Sequence, residues 1–128
     1  MPTVFVVQNQ MRFDTALGQL VPKYPKLEEQ AAQHGSIKYL LSPSAAPWNP
    51  KPILEDLDRG LTGYRNEDSL LLIGNPVLIG WAVTIAASWN NGFVKTLQWN
   101  GKDRAYIPVS AQIFPRDPEG GDSVGSES

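Results

Sequence analysis

The chain contains no cysteine and a single histidine, His34, among its 128 residues. Disulfides, thiol nucleophiles and thiolate metal sites are therefore excluded. One imidazole with no assignable serine or aspartate partner does not make a nucleophile–base pair. Its place at the end of a predicted helix instead suits the negative pole of the helix dipole. The acids Glu28-Glu29 and Glu55-Asp56-Asp58 fall on polar helix faces, so no metal-ligand set emerges. Long apolar runs are missing as well. The longest, Val77 to Ala87, is interrupted by Gly80 and Thr84 and falls short of the ~18 residues that span a bilayer. Met1 to Val7 lacks the basic region of a secretory signal, which predicts a cytoplasmic protein with no membrane attachment.

Charge of one sign is scarce too. The net charge is -2, and the segment Pro115–Ser128 sets Asp117, Glu119, Asp122 and Glu127 against Arg116 alone. Residues 1–114 are thus close to neutral and carry no broad basic footprint, which argues against nucleic acid as a partner. The Gly-, Ser- and acid-rich stretch 115–128 reads as a disordered acidic tail after a single domain over 1–114.

What remains is an alternation of strand and helix signals. Thr3–Val7 is β-branched and aromatic, which predicts a buried strand. Asp14 is a candidate cap for a short helix through Leu20, with Pro22 and Pro25 barring a longer one. Lys26–His34 predicts a helix with Leu27 and Ala31 inward and Gly35 at its end. Ser36–Leu41 predicts a second strand. Asn49-Pro50 and Asn75-Pro76 each pair a capping amide with proline at the first helical position. The first opens a helix whose Ile53, Leu54, Leu57, Leu61 and Tyr64 share one face. Between the two, Ser69–Gly74 reads as a strand buried on both sides. The second opens a helix from Val77 to Asn90 that is apolar around most of its circumference, a pattern that predicts burial all round. Phe93–Trp99 and Arg104–Ile113 predict two strands joined by a hairpin at Asn100-Gly101, with Pro108 placing the last strand at an edge.

This order predicts a three-layer, Rossmann-like α/β domain: a mostly parallel sheet with a C-terminal antiparallel β-hairpin. In such a sheet the loops after the strands converge on one crevice where ligands bind. The candidate ligand-binding residues are Gln8, Asn9 and Gln10 after the first strand, Ser42, Ser44 and Asn49 after the second, and Gly74 and Asn75 after the third. Their amides and hydroxyls, with two helix N-termini, suit a phosphate, a sugar or a base. Capping and turn formation explain Asn49, Gly74 and Asn75 equally well, and neither GxGxxG nor a Walker-type loop is present. The expected function is a non-catalytic module holding a nucleotide or other phosphorylated small molecule. A small accessory or inhibitor protein working through protein contacts, and a nucleotide-processing enzyme, are the alternatives. The apolar helix, with its Gly80, Thr84 and Ala87 strip, predicts a homodimer through Val77–Asn90. Finally, Lys95, Lys102 and Arg104 with Trp99 and Tyr106 on the hairpin form a small basic and aromatic set, which an edge strand also carries simply to resist aggregation.

Overall fold

The computed structural model describes residues 1–115. Apart from Pro115, the predicted acidic tail lies outside the described residues. Five strands form one sheet in the order β4-β1-β5-β6-β7, where β1 is Thr3–Gln8, β4 Ser36–Leu41, β5 Ser69–Leu71, β6 Phe93–Asn100 and β7 Ala105–Gln112. The first four are mutually parallel and β7 returns antiparallel on β6. This is the predicted α/β architecture.

Alternation along each strand divides the core in two. Phe5, Val7, Leu70 and Val94 face α2 (Pro50–Leu61) and α3 (Pro76–Trp89). Val4, Val6, Leu71 and Leu97 face α1 (Leu27–Ala31), whose Leu27 and Ala31 are buried as their spacing requires. One face therefore has two long helices and the other a single short one. The β6–β7 hairpin curls over the sparsely covered face. Tyr106 joins the α1-side core, and its carbonyl accepts a hydrogen bond from His34 Nε2 at 3.0 Å. His34, at the end of the short 3-10 turn after α1, is a strut between helix and hairpin.

Two local expectations need correction. Asp14 caps no helix. Its carboxylate accepts from the Ala16 and Leu17 N–H groups (2.9 and 3.1 Å), but Gly18 at φ 66° then reverses the chain. The product is a second, two-stranded sheet of β2 (Met11–Asp14) and β3 (Gln19–Pro22). An aspartate that accepts from amides two and three residues on starts a helix or a turn equally well, and here the pairing of the two strands, which Gly18 permits, selects the turn. The β6–β7 loop repeats this device. Asn100 Oδ1 accepts from the Lys102 and Asp103 N–H groups, and Arg104 takes the left-handed position at φ 53°. The hairpin forms as predicted, but through a four-residue loop rather than a two-residue Asn-Gly turn.

Helix α3 is covered by its own chain on one side only. Leu78, Ala82, Ala86 and Ala87 face the core, while Val77, Gly80, Thr84, Ser88 and Trp89 are exposed. Two hydroxyls on that outer side are satisfied within the helix, Thr84 on the Gly80 carbonyl and Ser88 on the Ile85 carbonyl. Small and hydroxylated residues make up the middle of that outer side, and Val77 and Trp89 are exposed toward its two ends. Trp89 Nε1 donates to Asp58 Oδ1 at 2.9 Å and ties the end of α3 to α2.

The second correction concerns the third strand, which ends at Leu71 instead of running to Gly74. Its backbone turns away there, with the Ile73 N–H on the Leu71 carbonyl and the Gln8 N–H on the Ile73 carbonyl. The two asparagine caps also differ. Asn75 Oδ1 accepts from the Val77 N–H at 2.9 Å, whereas the Asn49 side chain makes no capping bond. Asn75→Ala is accordingly expected to cost about 1 kcal/mol in urea unfolding. Asn49→Ala should move the midpoint distinctly less.

Candidate functional site

The strand order reverses between β1 and β5: the chain runs outward from β1 to β4, then back past β1 to β5, β6 and β7. The crevice expected at that switch point lies beyond Gln8 and Leu71. Gln8 fills it with its own side chain. The residue is 2% exposed. Its Nε2 donates to the carbonyls of Ser42 (3.1 Å) and Ala45 (2.9 Å), and its Oε1 accepts from the Asn75 N–H at 2.9 Å. Gly74, at φ 136°, lets the third loop come this close: a Cβ there would sit 2.6 Å from Gln8 Cβ. The structure thus brings Gln8, Ser42, Gly74 and Asn75 together, but their polar groups are engaged with one another. Both the Asn75 and the Val77 N–H groups at the start of α3 already have acceptors.

The other candidates are spread along the same edge. Ser42 and Ser44 bond each other through their hydroxyls at 3.0 Å. Asn9 and Gln10 line a void of about 20 Å³ between β1 and β3, room for about one water. The Asn9 N–H donates to the Leu41 carbonyl, and the Gln10 carbonyl accepts from the Lys23 N–H. Asn49 shares no hydrogen bond with this group among the described residues.

A larger opening lies beside the switch point, on the α1 face. Strand β5 has a single register partner on β6, Leu70 opposite Thr96. At the amino end of that seam the buried Tyr64 hydroxyl stands in for ladder bonds. It accepts from the Lys95 N–H (3.1 Å) and lies within donating distance of the Lys95 and Asp68 carbonyls. Burial pushes the Tyr64 phenol up, opposed by the Lys95 contact and reinforced by Asp68. Asp68 itself works at this opposite, amino edge, accepting from the Thr3 and Arg65 N–H groups. At the carboxyl end no described residue replaces β5 once it stops. Among the described residues β6 runs on through Leu97, Gln98 and Trp99 paired with β7 alone, and a cleft of about 560 Å³ opens beside it.

Leu27, Leu71 and Leu97 make the floor of this cleft, and Tyr24, Trp99 and Tyr106 stand around it. Trp99 and Tyr106 meet edge to face at 5.0 Å and 66°. Burial raises the Tyr106 phenol, as does the neighbouring Tyr24. Lys23 and Lys26 stand on the rim, with Lys23 Nζ 5.7 Å from the Tyr24 ring. Neither lysine is within 4.0 Å of a carboxylate among the described residues.

Sequence reasoning missed this cleft, although Trp99 and Tyr106 stood out as aromatic. The basic residues paired with them in sequence, Lys95, Lys102 and Arg104, do not line it. The lysines that do come from Lys23-Tyr24-Pro25-Lys26, which spans the Pro25 break and the predicted start of the helix at Lys26 and bears no binding motif. Among the described residues no group of three His, Asp or Glu side chains gathers to hold a metal ion, and no helix is long and apolar enough to cross a membrane.

Residues 2–113 match the model of one protein family, described as phage Pam3 gp32-like protein, and the chain belongs to that family. No curated protein and no solved structure matches it.

Proposed function

We propose that this phage Pam3 gp32-like family member is a cytoplasmic, non-catalytic binding module for a nucleotide or other phosphorylated small molecule, held at the carboxyl edge of its sheet. The observation that carries the reading is the apolar, aromatic-walled cleft beside the switch point. Its volume of about 560 Å³ falls within the range of small-molecule sites, and a few polar groups stand at its rim. The crevice proper, filled by Gln8, becomes the rigid wall of the site rather than its centre. Among the described residues the cleft holds no nucleophile–base pair, which favours binding over turnover.

The same proposal includes pairing of two chains along the outer side of α3. Val77 and Trp89 are exposed there, and the space over Gly80 is open.

Thermal denaturation with a panel of purine and pyrimidine nucleotides tests both parts. A ligand that binds only the folded chain is expected to raise the melting temperature in proportion to the logarithm of its concentration. A dimer makes the melting temperature rise with chain concentration as well. A flat response to every nucleotide rejects the ligand reading, and independence from chain concentration rejects the pairing.

A second reading, an accessory protein acting through contacts with another protein, is favoured by the β2–β3 hairpin. Phe13 and Leu20 are cross-strand partners on one side of it, with Leu17 at its turn, and all three are about 60% exposed. A two-stranded hairpin gains little stability alone, so apolar residues displayed on it suit a partner's surface. Under this reading nucleotides leave the melting temperature unchanged.

A further inference from the structure

We infer that the cleft between the splayed ends of β5 and β6 takes a planar aromatic ring bearing an anionic group, with the ring against Trp99 and Tyr24 and the anion at Lys23 and Lys26. This rests on the binding-module reading and gives its ligand an orientation.

Three independent features of the cleft point the same way. Its floor and walls are apolar and flat-sided. Leu27, Leu71 and Leu97 lie beneath, while Trp99 and Tyr24 keep 38% and 44% of their surface exposed around the opening. Partly exposed aromatic faces over a buried apolar floor suit a ring that stacks, because stacking covers the ring without requiring any hydrogen bond.

The second feature is charge. Lys23 and Lys26 enter the rim from the same short segment, three residues apart, and among the described residues no carboxylate lines the cleft. Both charged side chains among the described lining residues are thus cationic, although the chain as a whole is acidic.

The third feature lies in the backbone. Thr96 is opposite Val109, Lys95 turns its N–H and C=O toward Tyr64, and the Ile113 N–H reaches the Gly92 carbonyl. Alternation then directs the N–H and C=O of Leu97 and Trp99 away from β7, toward the β5 side. Leu70 lies level with Thr96, so β5 ends at Leu71 before it reaches Trp99. A donor on Trp99 and an acceptor on Leu97 are thereby presented along the cleft wall, one residue pair apart. A heteroaromatic ring with adjacent donor and acceptor atoms on its edge completes the ladder that β5 abandons. A simple hydrocarbon ring does not. The His34 bond to the Tyr106 carbonyl holds the curled hairpin, and with it Trp99, in place.

Titration calorimetry on the full chain tests the assignment, using adenosine monophosphate, uridine monophosphate, adenosine, inorganic phosphate and anilinonaphthalene sulfonate as probes. A nucleoside monophosphate is expected to bind, adenosine more weakly, and inorganic phosphate not at all. Trp99→Leu should weaken binding about tenfold or more, the loss of one stacking face. Lys23→Gln and Lys26→Gln should each weaken it about two- to fivefold, with the larger losses at low salt. Neither lysine is buried, so unchanged urea midpoints for these two variants verify that folding is intact.

The outcomes separate cleanly. If nucleotides bind with affinities that none of the three substitutions changes, the ligand sits elsewhere: this placement falls and the binding-module reading stands. If nucleotides fail but anilinonaphthalene sulfonate binds with the expected sensitivity to Trp99→Leu and Lys26→Gln, the cleft is upheld as an aromatic-anion site and the nucleotide falls. If no probe binds, or if sulfonate binding ignores the substitutions, the inference is overturned.

Discussion

Gln8→Leu is expected to destabilise the fold by about 2–4 kcal/mol, the scale of leaving buried donors and acceptors without partners. Leucine keeps the volume of the side chain but abandons the Asn75 N–H and the Ala45 and Ser42 carbonyls together. At neutral pH no other side chain of this length both donates and accepts without charge. Gln8→Glu should be no better at neutral pH, because a carboxylate would face the carbonyl oxygens of Ser42, Pro43 and Ala45. Burial beside those oxygens raises a carboxyl's folded pKa above its unfolded value. The Gln8→Glu variant should therefore recover stability as pH falls and lose it as pH rises. Urea unfolding of both variants at two pH values provides the check. A midpoint that barely moves in Gln8→Leu would show that water replaces the amide, and the crevice would then be open to ligands after all.

Tyr64→Phe is expected to cost about 1–3 kcal/mol by the same mechanism. The single register pair between β5 and β6 makes the seam unusually dependent on the Tyr64 hydroxyl, which serves the Lys95 backbone and the Asp68 carbonyl. Its titration adds a signature in pH. Burial first, and Asp68 next among the raising influences, lift the folded phenol above its usual 10. Below pH 10 both folded and unfolded chains hold the proton, so the full contribution is present. Above it the unfolded chain loses the proton first, and stability falls as pH climbs toward the folded value. Removing the phenol should flatten this alkaline decline. It should not abolish it, because burial also raises Tyr106. An alkaline slope identical to that of the parent chain would mean the Tyr64 hydroxyl is not held where the seam needs it.

How far the candidate site was legible follows from how its parts are encoded. Gln8, Ser42, Gly74 and Asn75 were placed together by topology alone, since parallel strands joined by helical crossovers bring their following loops to one edge. Which way the Gln8 amide turns was not legible, because its partners lie 34 to 67 positions away in the chain. The cleft was less legible still. It draws on 23–27, 30, 71–73, 96–99 and 106, segments whose local patterns mark strands and a helix but not their meeting.

By itself the sequence determined the elements whose signals are local. Runs of β-branched and apolar residues set β1, β4, β6 and β7, the Asn-Pro pairs started α2 and α3, and their alternation implied a mostly parallel sheet closed by a hairpin. Only the tertiary structure decided the rest. Asp14 offers its carboxylate to the next amides whether a helix or a turn follows, and pairing of Met11–Asp14 with Gln19–Pro22 selects the turn. The outer side of α3 is exposed because the sheet and α2 reach only part of its circumference, a matter of layers and not of composition. Likewise β5 stops at Leu71 where the Ile73 carbonyl and the Asn75 N–H bond to Gln8 at the end of β1, which closes the crevice and leaves the cleft open beside β6. Local propensity acts over a few residues, whereas each of these outcomes depends on backbone groups from distant strands competing for the same partners.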